Sequence, residues 1–281
     1  MTSLFARYGP WALVCGASEG IGAAFACALA EAGFSLVLIA RRPEPLEALA
    51  ADLRTRLGCS VETVALDLAA ADLETHLAAL ARRHEIGLVV YNAALSIVAP
   101  FLDTPLADKQ RILDVNARGP TIAAHVLGER MAARGRGGIV LVSSLTAFWG
   151  SPWVASYGAS KAFNLSLGEA LAHELGERGV DVVVSCAGAT RTPGFVSLVA
   201  GAGRKAPRAM SPEAVAAQTL DALPKRGVFV PGVSNRIIQL LLSRLLPRRS
   251  TVRIMASQTK ALLRGINSPT SARARRTSRK R

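Results

Sequence analysis

Ser144, Tyr157 and Lys161 are the residues whose types and spacing could carry a reaction. Tyr157 and Lys161 stand four apart, which on a helix brings both side chains to one face, roughly 5–6 Å between Cβ atoms. Ser144 ends an apolar run, GGIVLVSS, that reads as a buried parallel strand. Its hydroxyl would project at the strand's carboxyl end, the edge where open α/β sheets bind ligands. A free phenol, with a pKa of about 10, is a poor acid or base near neutrality. Bringing it to about 7 amounts to ~4 kcal/mol, which a neighbouring ammonium in a partly dry site supplies and a neutral group does not. Lys161 is expected to be that neighbour. Alone, a Tyr and Lys at this spacing are ordinary helix surface; the company they keep decides.

That company begins with a short apolar run, Trp11 to Cys15, followed at once by GASEGIG and a small-residue helical segment. Gly16, Gly20 and Gly22 permit a tight turn and let a phosphate-bearing ligand approach the amino end of the helix. The second strand, FSLVLIARR, has Ala40 where a carboxylate would bond a ribose 2′-hydroxyl, and Arg41 and Arg42 follow. That charge favours NADP(H) over NAD(H), although arginines also serve simply to solubilise a helix start. Asp67, after a third strand, reads equally as an acceptor for an adenine amine or as a helix cap. A fourth strand carries Asn92 at its tip, a periodic segment over about 106–133 contains Asn116, and a fifth strand covers 138–143.

Beyond a central helix over about 155–178 come a sixth strand, VDVVVSCAG, and a glycine-rich segment, TRTPGFVSLVAGAGRKAPRAM, expected to be a mobile lid. Its Arg191, Arg204, Lys205 and Arg208 suit either an anionic substrate or a solvated lid. Ser211-Pro212-Glu213 opens a capped helix, and GVFVPG is expected as a seventh, edge strand. Alternation of strands and helices at this spacing predicts an α/β fold: a Rossmann-type doubly wound parallel sheet of about seven strands, with a C-terminal amphipathic helical extension. The expected division is a catalytic domain over 1–232, a basic helical extension over 233–266, broken at Pro247 into two short helices, and a disordered tail over 267–281.

The charge is lopsided. The chain of 281 residues carries +14, of which residues 225–281 contribute 15 Lys/Arg and no Asp or Glu, leaving the rest close to neutral at −1. Such an appendage suits an anionic membrane surface, a cover over the cleft, a twin subunit or mere solvation. No zinc-finger or helix-turn-helix pattern supports specific nucleic-acid binding. The four cysteines show no metal or redox spacing and the four histidines are scattered, so no metal is expected, and free thiols in the cytoplasm are. No uncharged apolar run approaches the ~18 residues of a membrane span.

CGASEGIG, the NAA after the fourth strand, Asn116, Ser144, Tyr157-x-x-x-Lys161 and CAGATRT, in this order, resemble the short-chain dehydrogenase/reductase family from about Trp11 to Pro231. The chain departs from the family's usual residues at Cys15, Ala94 and Ala187. The resemblance implies hydride transfer between a nicotinamide and a carbonyl or secondary alcohol. Tyr157 would move the proton, Ser144 would hold the substrate oxygen, Lys161 would lower the Tyr pKa and bond the nicotinamide ribose, and Asn116 would support a water in the relay. The implied cofactor residues are Gly16, Ser18, Glu19, Gly20, Ile21, Gly22, Arg41, Arg42, Asp67, Leu68, Asn92, Ala93, Tyr157, Lys161, Gly188, Thr190 and Thr192. An apolar, lipid-like substrate and a homodimer or homotetramer are expected with them. The rival expectation is a non-catalytic NADP(H)-binding sensor or scaffold, held to a membrane or partner by its basic end.

Overall fold

The computed structural model describes residues 3–201, 209–225 and 227–266. Its elements are α1 (Leu4–Tyr8), β1 (Trp11–Cys15), α2 (Gly20–Glu31), β2 (Ser35–Ala40), α3 (Pro43–Leu57), β3 (Val61–Ala65), α4 (Leu73–Arg83), β4 (Ile86–Tyr91), α5 (Leu106–Leu113), α6 (Gly119–Ala133), β5 (Gly137–Ser144), α7 (Ala155–Glu174), β6 (Val180–Ala187), α8 (Pro193–Gly201), α9 (Pro212–Ala222), β7 (Gly227–Phe229), α10 (Val233–Arg244) and α11 (Arg248–Ile266). The seven strands form one sheet in the order β3-β2-β1-β4-β5-β6-β7, and every pair is parallel.

A parallel sheet must be covered on both faces, and the continuous Val/Leu/Ile runs of β1, β2, β4, β5 and β6 are what that demands. On one face, Val14, Leu36, Leu38, Val90 and Val183 pack beneath Phe25 and Leu29 of α2 and Leu53 of α3. On the other, Leu13, Val37, Val89 and Ile139 pack beneath Leu77 of α4 and Leu127 and Met131 of α6. The chain reverses its order between β1 and β4, so a crevice opens there at the carboxyl ends of the strands.

Four features differ from the sequence expectation. A five-residue helix, α1, precedes the sheet and is pinned by the buried Asp181 of β6, which accepts from Tyr8 Oη at 2.6 Å and from Arg7 Nε at 2.8 Å. The periodic segment over 106–133 is not one helix: a π turn, Asp114–Arg118, separates α5 from α6. The expected lid contains α8, whose start is fixed by Thr192 Oγ1 accepting from the Phe195 N–H. Pro247 does divide the extension, but α11 runs for 19 residues rather than being short. Thr251, fully buried, closes the α10–α11 corner by donating to the Leu242 carbonyl at 3.1 Å. Arg204, Lys205, Arg208 and the tail over 267–281 lie outside the described residues.

Candidate active site

The crevice at the β1–β4 switch point holds a cavity of about 300 Å³. Of the residues expected at a cofactor, Gly16, Ser18, Glu19, Gly20, Ile21, Arg41, Arg42, Asp67, Leu68, Asn92, Ala93 and Thr192 line it. Ala40, Leu66, Ala94, Leu95, Val115 and Gly194 line it too, and the motif reading had not assigned these to the cofactor. They contribute shape rather than chemistry, and only the crossing of the strands brings them in.

The floor of this cavity requires glycine. Gly16 turns at φ +79°, and a Cβ there would stand 2.7 Å from the Ala93 backbone. A Cβ on Gly22 would stand 1.9 Å from the Gly16 carbonyl oxygen, so Gly22 lies behind the cavity and lets α2 begin against the turn. Asn92 fixes the same carbonyl, its Nδ2 donating to Gly16 O at 3.0 Å. The amino end of α2 has no side-chain cap, leaving its first N–H groups to face an anion.

The charged residues are not equivalent. Arg42 is paired with Glu19 at 2.7 Å, whereas Arg41 has no ion pair or hydrogen bond among the described residues and lies exposed beside Ala40. Asp67 caps no helix. It accepts from the Ala69 N–H at 3.1 Å and from Arg111 at 2.5 Å, while α4 starts only at Leu73. Burial alone would raise its carboxyl, and these partners with Arg41 nearby outweigh that and hold it lowered. The residues present therefore fit a dinucleotide: a glycine floor, a bare helix end, and a free cation where a 2′-carboxylate partner is missing.

Ser144, at the end of β5, and Tyr157 and Lys161, on α7, stand together; Tyr157 and Lys161, also expected at the cofactor, are not among the residues that line this cavity. Lys161 is 2% exposed, and its Nζ donates to the Val142 carbonyl at 2.8 Å and lies 5.7 Å from the Tyr157 ring centre. Ser143 ties α7 to β5 by donating to the Lys161 carbonyl at 2.8 Å. Burial lowers the Lys161 ammonium to about 8. Burial also raises the Tyr157 phenol, and a side-chain hydrogen bond with Ser144 opposes the rise. The expected lowering of the phenol by Lys161 is thus not seen: the ammonium is spent on Val142, and desolvation acts on both groups.

Asn116 is fully buried in the π turn. Its side chain spans two elements, Oδ1 accepting from Leu95 N at 2.8 Å and Nδ2 donating to Leu95 O at 2.9 Å and to Ser160 Oγ at 3.0 Å. Its carbonyl accepts from Asn164 Nδ2 at 2.9 Å. The wider turn lets one residue hold both the β4–α5 loop and α7, and that keeps Tyr157 in register. Gly188 and Thr190 stand apart from the cavity lining: Thr190 is buried, donates to the Gly188 carbonyl at 3.0 Å and bridges to Met210.

Against known proteins, the family model of short chain dehydrogenases matches residues 10–202. A 7beta-hydroxysteroid dehydrogenase of Collinsella aerofaciens is 33% identical over 233 residues, covering 82% of this chain and 89% of that one. A solved structure concerned with 7beta-hydroxysteroid dehydrogenase stereoselectivity superposes with a TM-score of 0.83 at 30% identity, over 90% of this chain and 99% of the other. A short-chain dehydrogenase from Sphingobium yanoikuyae in complex with NADPH superposes with a TM-score of 0.74 at 30% identity, over 84% and 94%.

Proposed function

Because the chain belongs to the short-chain dehydrogenase family and is an oxidoreductase of carbonyls and alcohols, we propose that it uses NADP(H) on an apolar, lipid-like ketone or secondary alcohol. The observation that carries the cofactor assignment is Arg41, which follows β2 beside an alanine, lines the cavity and makes no ion pair or hydrogen bond among the described residues. A 2′-phosphate would give it one. The NADPH complex of the Sphingobium relative supports the same reading. An apolar substrate is supported by the side chains around Tyr157, which include Ile97, Phe101, Ile112 and Trp153.

When bound, the nicotinamide supplies or accepts the hydride. Tyr157 donates its phenolic proton to the carbonyl oxygen, and burial keeps that proton in place near neutrality. Ser144 holds the same oxygen and stabilises the charge that develops on it. Lys161, still mostly charged at pH 7, adds a positive field to the phenolate left behind. Asn116 keeps α7 placed for all three.

Two further parts of the reading concern partners. Exposed Leu106 and Leu113 on α5 and Phe163 on α7 support a homo-oligomer face. The exposed apolar face of α10 with its arginines supports contact with an anionic membrane surface, and no described helix is long and apolar enough to cross one. The free cysteines suit a reducing cytoplasm.

The test is a titration with NADPH and NADH of wild type and Arg41→Asp, followed by NADPH consumption on a ketone panel by wild type and Tyr157→Phe. Arg41→Asp should lower the NADPH/NADH affinity ratio by about tenfold or more, as expected for a lost charge-assisted bond. Tyr157→Phe should keep NADPH binding and lower turnover about 10²–10⁴-fold. An unchanged ratio means that Arg41 does not read the 2′-phosphate, and a wild type that binds NADH as tightly as NADPH removes NADP(H) preference. NADPH binding without turnover by wild type leaves the non-catalytic sensor as the better reading.

A further inference from the structure

Trp153 stands out on three independent grounds. It is the one non-glycine with a positive φ among the described residues, at +69°. Such a backbone persists only where its surroundings impose it. Here the strained carbonyl accepts from the Ala99 N–H at 2.9 Å, so it ties the β4–α5 loop to the segment just before α7. The indole Nε1 is buried with no acceptor among the described residues, although a buried indole N–H ordinarily finds one. Finally, Trp153 lines a second, small cavity of about 10 Å³ together with Tyr157, Phe101 and Thr104.

The C-terminal helix approaches Trp153 from outside, without lining the cavity itself. Lys260 of α11 lies 6.0 Å from the Trp153 ring centre, a Cβ on Gly150 would touch Val252 at 3.5 Å, and α11 packs on α8. A strained residue that buries an unused donor beside the catalytic phenol, under a helix from outside the sheet, is poorly explained by packing alone. An apolar ring would fill the same space without leaving a donor unsatisfied.

Resting on the carbonyl-reductase reading, we propose that Trp153 is a specificity-determining residue whose indole N–H donates to a second oxygen on the substrate, separate from the reacting carbonyl. The substrate class is then an apolar ketone that carries an ester, carboxyl or hydroxyl acceptor, and a plain hydrocarbon ketone is the poorer member of any pair. Discrimination of this kind is strong because a buried donor without its acceptor penalises the wrong ligand. Lys260 and α11 hold the ring in place and close over the bound molecule.

The experiment compares decan-2-one, methyl 3-oxodecanoate and methyl 9-oxodecanoate as NADPH-dependent substrates of wild type, Trp153→Phe and Trp153→His. Phe keeps a flat ring without the donor; His restores a ring N–H. The expected result is that kcat/KM on at least one keto ester falls about tenfold in Trp153→Phe, mostly through KM, and partly recovers in Trp153→His. NADPH affinity should be unchanged in both, and any loss on decan-2-one should be several-fold smaller than the loss on the keto ester. Equal losses on all three ketones, or no loss on any, overturn the assignment while leaving the reductase reading intact. Failure of wild type to turn over any ketone overturns that reading, and this inference with it.

Discussion

The two halves of the cleft are built on opposite terms. On the cofactor side an open cavity of about 300 Å³ rests on backbone: a glycine turn, a helix end and strand tips whose positions the sheet fixes. On the substrate side a cavity of about 10 Å³ is walled by side chains from the β4–α5 loop, from α5, from the segment before α7 and from α7 itself. The first region has almost no freedom to change residue type, and the second has a great deal. A fold can therefore keep one cofactor while its substrate is rewritten, because different elements carry the two.

Gly22, behind the cofactor cavity, and Gly194, which lines it, show how far the restriction extends within the first region. An alanine at position 22 places its Cβ 1.9 Å from the Gly16 carbonyl, whereas one at 194, on α8, meets nothing within 4 Å. Gly22→Ala should destabilise the protein by about 1–3 kcal/mol and weaken NADPH binding, since either the turn or α2 must shift. Gly194→Ala should change stability by less than about 0.5 kcal/mol, with helix propensity in its favour. Urea midpoints and NADPH titrations of the two variants measure the difference. Equal costs would mean that the glycine floor is not rigid.

This asymmetry also explains what could be read in advance. Gly16, Gly20, Asn92, Ser144, Tyr157 and Lys161 were legible because backbone geometry or proton chemistry restricts those positions to few residue types. Asn116 was placed correctly, but the π turn around it was not, because the apolar period runs unbroken on either side of 114–118. The Tyr8–Asp181 bond joins residues 173 apart, and no local pattern announces it. Arg41 and Arg42 looked alike in the sequence; Glu19, reaching across from the glycine turn, makes one a paired charge and leaves the other free. At Trp153 neither the positive φ nor the unused donor has a local sequence signal.

A second, smaller effect sharpens the boundary between the two halves, where Lys161 stands. Its ammonium is lowered from 10.5 to about 8 by burial, so above pH 8 the folded protein sheds this proton before the unfolded chain does. Between about pH 8 and 10.5 the unfolded state binds more protons, and this group's contribution to stability rises with pH. Activity should move the other way, since the deprotonated amine no longer supports the phenolate. The turnover number is expected to fall above pH 8, approaching tenfold per unit, while the stability of wild type relative to Lys161→Met climbs over the same interval. A kcat profile flat to pH 9.5 would show that the charge on Lys161 is not needed for the proton step.

The smallest effect on the fold is expected at α10, the element furthest from both constraints. Val233, Ile237, Leu240, Leu241 and Leu245 lie exposed along one broad arc of it, while the half-buried Asn235, Gln239 and Leu242 mark the inward side. Removing apolar side chains that touch little leaves the folded state nearly unchanged, so Ile237→Ser with Leu241→Ser should shift stability by less than about 0.5 kcal/mol. NADPH binding should be untouched, because neither Ile237 nor Leu241 lines the cofactor cavity. The same pair should lose sedimentation with phosphatidylserine vesicles, where each side chain buried in the interface contributes about 1.5–3 kcal/mol and Arg236, Arg244, Arg248 and Arg249 supply attraction that salt weakens. If wild type sediments equally with neutral phosphatidylcholine vesicles, the arginines are not reading lipid charge. If it sediments with neither while the variant alone changes oligomeric state, the arc is a subunit face instead.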